Sequence, residues 1–68
     1  MPKVARVTTI TAASEKNFQD AIEKGLERAN KTLRNVTGAE LAEQKVKVES
    51  GRVVEYRATL NVTFILED

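Results

Sequence analysis

The stretch Val53-Val54-Glu55-Tyr56-Arg57-Ala58-Thr59-Leu60-Asn61-Val62-Thr63-Phe64-Ile65-Leu66 alternates in character almost without fault. Val54, Tyr56, Ala58, Leu60, Val62, Phe64 and Leu66 fall on one side of an extended chain, and Glu55, Arg57, Thr59, Asn61, Thr63 and Glu67 on the other. A period of two marks a strand with one buried face. Its length carries a second message. At roughly 3.3 Å per residue the run spans about 46 Å, whereas a compact chain of this size has a radius of gyration of about 11 Å. The strand outruns its own domain, so part of its apolar face needs cover from outside the chain. The simplest cover is another copy.

Upstream, Ser50-Gly51-Arg52 reads as the turn into this strand, and a second strand region runs from about Val36 to Glu49. Its phase changes: Ala39 and Leu41 are odd-numbered, Val46 and Val48 even-numbered. A bulge or bend between Ala42 and Lys45 would restore a single apolar face. Before it, Phe18, Ala21, Ile22, Gly25, Leu26, Ala29 and Leu33 repeat at helical period and predict an amphipathic helix. Ser14 stands where an N-cap is expected, with Glu15 near the positive end of the helix dipole. Lys16 with Asp20, Asp20 with Lys24, and Glu27 with Lys31 are spaced to pair across successive turns, on a solvated face. Gly25 in mid-helix suggests close approach to a sheet; Lys31 and Arg34 suit the C-terminal end, and Asn35 suits a stop. Residues 3 to 12, rich in Val, Thr and Ile, read as the first strand. The predicted class is α+β, a single domain over 1–68 in the order β-α-β-β. Its three-stranded antiparallel sheet, with the third strand central, wraps one helix.

Composition narrows the function. With 68 residues the chain is short enough to need a staple, and it has no Cys and no His. Disulfides and Cys/His zinc sites are excluded, which leaves self-association, or oxygen ligands around a hard cation. The 11 Lys and Arg against 10 Asp and Glu are interleaved, with no basic stripe of the kind that tracks phosphates, so no nucleic-acid partner is expected. No apolar run approaches a membrane span, and the opening residues lack a signal-peptide core; the expectation is a cytoplasmic protein without a membrane partner. The Asn-X-Thr triplets at Asn30, Asn35 and Asn61 are then chance matches. No Ser is paired with a plausible base and the three glycines are far apart, so no enzyme is expected.

The β-α-β-β order, the stretch Lys31-Thr32-Leu33-Arg34-Asn35-Val36, the run Glu40-Leu41-Ala42-Glu43-Gln44, and Val54-Glu55-Tyr56-Arg57 through Leu60-Asn61-Val62-Thr63-Phe64 to Leu66-Glu67 together resemble the dodecins. The resemblance spans nearly the whole chain. It implies a hollow, cubic-symmetry homo-dodecamer that stores flavin (FMN, FAD or riboflavin) at a two-fold interface, each isoalloxazine ring stacked on a tryptophan and hydrogen-bonded by a glutamine. At the position matching that tryptophan this chain has Gly38, and at the position matching the glutamine, Arg57. Flavin binding is therefore expected to be weak.

Two readings of the site follow. In the first, Gly38 opens space in an altered ligand pocket, Arg57 clamps a phosphate or carboxylate, and Gln44, Lys45 and Lys47 supply further donors. Its structural counterpart has Gly38 permitting a turn or close approach, and Arg57 paired with Glu55 or with Glu40 of a partner. A different class of function is a cation-stabilised structural dodecamer that binds no flavin, in which copies of one carboxylate meet around Ca²⁺ or Mg²⁺. The resemblance points to Glu43 for that role, with Glu15, Glu67 and Asp68 as weaker candidates.

Overall fold

The computed structural model describes residues 3–66. Strand β1 covers Ala5–Ser14, helix α1 Phe18–Thr32, strand β2 Val36–Glu49 and strand β3 Arg52–Ile65. The strand order is β1-β3-β2, and β3 is antiparallel to both neighbours. This is the expected α+β arrangement, with the most regular alternation in the chain placed at the centre of the sheet. The molecule measures 54 × 19 × 14 Å with a radius of gyration of 14.1 Å, more elongated than a globule of its length.

The helix lies across β1 and β3. Ala29 of α1 is buried with Leu60 and Val62 of β3 in one cluster, with Ile10, Ile22, Leu26, Leu33 and Val36 packed around it, and Ala21 and Ala58 are fully buried as well. Small residues on the helix let its backbone come close to the sheet. Gly25 shows the limit of that approach: a Cβ there would sit 3.1 Å from the Ala12 Cβ and 3.2 Å from the Leu60 Cδ1. Leu60 and Val62 are the largest side chains fully buried, each contributing about 1.5–3 kcal/mol.

The helix start differs from the expectation. Asn17, not Ser14, is the N-cap: its side chain accepts from the Asp20 N–H at 2.7 Å. Ser14 still belongs to β1 and is buried. Its hydroxyl donates to Asp20 Oδ2 at 2.6 Å and accepts from the Lys16 N–H at 2.9 Å, tying the strand end to the first helical turn. Glu15 therefore precedes the cap, and Asp20 is the acidic residue of the first turn. The carboxylate of Asp20 is engaged by Ser14 and not by Lys16 or Lys24. On the exposed face the bond at spacing four is Gln19 to Glu23, 2.8 Å.

Asn35 takes a positive φ of 60° between α1 and β2. At the other end of β2, Ser50 (φ 52°) and Gly51 (φ 77°) form the two-residue turn into β3. Two successive left-handed residues match the right-handed twist of a hairpin, and glycine makes the second one inexpensive. The register of β2 on β3 shifts at Val36/Gly38, Leu41/Glu43 and Lys47/Val48. The second of these serves the expected phase change, but begins one residue earlier than Ala42–Lys45.

Candidate functional site

The pleat of β3 sorts the side chains onto two faces of the sheet. On the helix side lie Ala58, Leu60 and Val62, and opposite them on β2 stand Gln44, Leu41 and Ala39. The other side is a polar ladder. Thr9 Oγ1 donates to Asn61 Oδ1 at 2.8 Å, Asn61 Nδ2 donates to Glu40 at 3.3 Å, and the hydroxyls of Thr11 and Thr59 meet at 3.1 Å. Further toward the hairpin the same ladder becomes ionic: Glu43 pairs with Lys45 at 3.2 Å, Lys47 with Glu49 at 3.5 Å, and Arg57 Nε with Glu55 at 2.6 Å.

Lys45 and Arg57 are direct cross-strand partners, two cations side by side, each neutralised by a carboxylate two residues away on its own strand. These pairs are exposed, and each contributes at most about 1 kcal/mol. Lys47 stands opposite Glu55 on the same ladder, so Lys45, Lys47 and Arg57 form one patch. Gln44, opposite the buried Ala58, belongs to the helix-side face instead. The Arg57–Glu55 contact is one of the two partnerships expected for Arg57.

Gly38 is exposed at the register shift near the start of β2, opposite Thr63, and a Cβ built on it meets nothing within 4 Å. Thr63 and Arg57 are six residues apart along β3, roughly 20 Å at about 3.3 Å per residue. One copy of the chain thus keeps Gly38 and Arg57 well apart along the sheet. Glu43 has Lys45 as its partner, Glu15 is exposed before the cap, and Glu67 and Asp68 lie outside the described residues. Among the described residues no three carboxylates gather to hold a cation within one chain.

The grooves lie elsewhere. The larger, ≈ 590 Å³, runs between β1 and α1, with Ile10, Ala12, Gly25 and Ala29 among its lining and Lys24 and Arg28 from the exposed helix face. A smaller one, ≈ 200 Å³, lies where α1 leaves for β2, between Leu33, Arg34 and Phe64. None of Gly38, Gln44, Lys45, Lys47 and Arg57 lines either. Sequence reading passed over the larger groove. Its one visible signal is Lys24 and Arg28 at spacing four, like charges with mutual repulsion, directly beside the Gly25 and Ala29 stripe.

This is the layout of a small α+β protein that packs its helix on its own sheet and leaves one strand uncovered. No helix among the described residues is long and apolar enough to cross a membrane. The dodecin family model matches residues 4–67, and the chain belongs to the dodecin family. It is 35% identical to the dodecin of Thermus thermophilus over 68 residues, covering 100% of this chain and 99% of that one. Its fold is similar to the structure of dodecin from Streptomyces davaonensis (TM-score 0.94, 29% identity, 100% of both chains). It is also similar to a calcium-chelating dodecin from Mycobacterium tuberculosis described as having a novel calcium-binding site (TM-score 0.82, 28% identity, 94% of this chain and 91% of that one). Dodecins are small, flavin-binding, non-enzymatic proteins that form homo-dodecamers.

Proposed function

We propose that this chain forms a homo-oligomeric shell that binds or stores a small molecule of flavin type, through a site whose ring-holding groups have changed. The observation that carries this reading is the pair Gly38 and Arg57. The chain has no Trp, and Gly38, where the resemblance places the stacking residue, faces open space. Loss of an aromatic platform removes about 1–3 kcal/mol of ring recognition. Arg57 presents donors only, whereas a glutamine amide both donates and accepts toward a ring. Arg57 and Lys45 supply positive charge in their place, suited to a ligand with a phosphate or carboxylate arm.

Native mass spectrometry of protein purified without added ligand, followed by flavin titration monitored by fluorescence quenching, tests the reading. The expected result is an assembly of twelve chains with flavin affinity clearly below that of a Trp-bearing dodecin. Tight stoichiometric quenching would show that the site has not changed.

A second reading, a cation-stabilised shell that binds no flavin, is favoured by the similarity to the calcium-chelating relative. Glu43 is its residue. Because one chain gathers no carboxylate cluster among the described residues, the ion would sit where several copies meet. Chelator treatment would then lower the thermal stability of a colourless protein, and an unchanged melt counts against this reading.

A further inference from the structure

We draw no further inference here: the strongest candidate, the patch of Lys45, Lys47 and Arg57 on the polar face of β2 and β3, belongs to the site already described, where each cation has a carboxylate partner on its own strand.

Discussion

β2 and β3 are both 14 residues long and lie side by side in one sheet, yet they have opposite fates. β3 has three fully buried residues, Ala58, Leu60 and Val62, because α1 covers it on one face and strands flank it on both edges. In β2 only Val36 is even partly buried; Leu41 is 41%, Val46 44% and Val48 56% exposed. The difference does not lie in apolar content alone but in what the chain can reach. A 15-residue helix is about 22 Å long, about half the run of a 14-residue strand, and α1 packs on β1 and β3. The α1–β1–β3 block is therefore stabilised within one chain, and β2 is left uncovered by it. Substitutions in the two regions should fail in different ways.

The largest effect belongs to the block. An aspartate at Leu60 or Val62 puts an unpaired charge between helix and sheet, where either residue is at most 2% exposed. We expect loss of soluble folded protein, a penalty of several kcal/mol. Thr59→Asp points the same charge into the polar ladder near Thr11, and should cost far less. Soluble yield and thermal melts compare them; equal tolerance would mean that the faces of β3 are inverted.

The next effect belongs to β2. Val46→Asp alters a residue already exposed in the single chain, so the fold should survive with its circular dichroism unchanged. Association should not: light scattering across a dilution series should show the variant dissociating at concentrations where wild type stays assembled. A concentration-independent loss of structure would erase the distinction between the two regions.

The sequence was most legible where one signal had one physical meaning. The alternation through Ala58, Leu60 and Val62 located the central strand, and Gly25 foretold the close helix–sheet contact at Ala12. The helix start was misread because Ser14 and Asn17 are both good capping residues. What separates them is tertiary: β1 keeps Ser14 extended through its pairing with Tyr56. Asn17, with Asp20 three residues on, is a capping signal that reading the sequence passed over. The site was far less legible. No periodicity tells that Gly38 and Arg57 lie roughly 20 Å apart along one chain, or that Lys45 stands across from Arg57, since both depend on how β2 registers against β3 through its shifts.

A third effect is confined to binding. Gly38→Trp restores an aromatic surface in the open space beside β2, and Arg57→Gln releases Glu55 while supplying an amide. If the two groups act on one ring held between copies, the double variant should bind flavin at least tenfold better than either single variant, a non-additive gain. Fluorescence titration of all four proteins, with melts as controls, measures it. Additive or absent gains with the assembly intact would separate the two positions functionally, and a broken assembly in Gly38→Trp would show that the space is filled by another copy.

The smallest effect returns to the block and tests the corrected helix start. Asn17→Ala leaves the Asp20 N–H without its side-chain acceptor, a loss of about 1 kcal/mol for a cap of this kind. Ser14→Ala removes the hydroxyl shared by Asp20 and the Lys16 N–H, and because Ser14 is buried the stranded groups lose a partner that water replaces only in part. Both variants should melt a few degrees lower while dissociating at the same protein concentration as wild type, since neither residue belongs to β2. Asn17→Gly should recover most of the loss, because glycine tolerates the cap position, whereas Asn17→Leu should not. If Ser14→Ala alone lowers the melt and Asn17→Ala is neutral, the hydroxyl bridge at the end of β1 holds the helix start, and the asparagine only marks it.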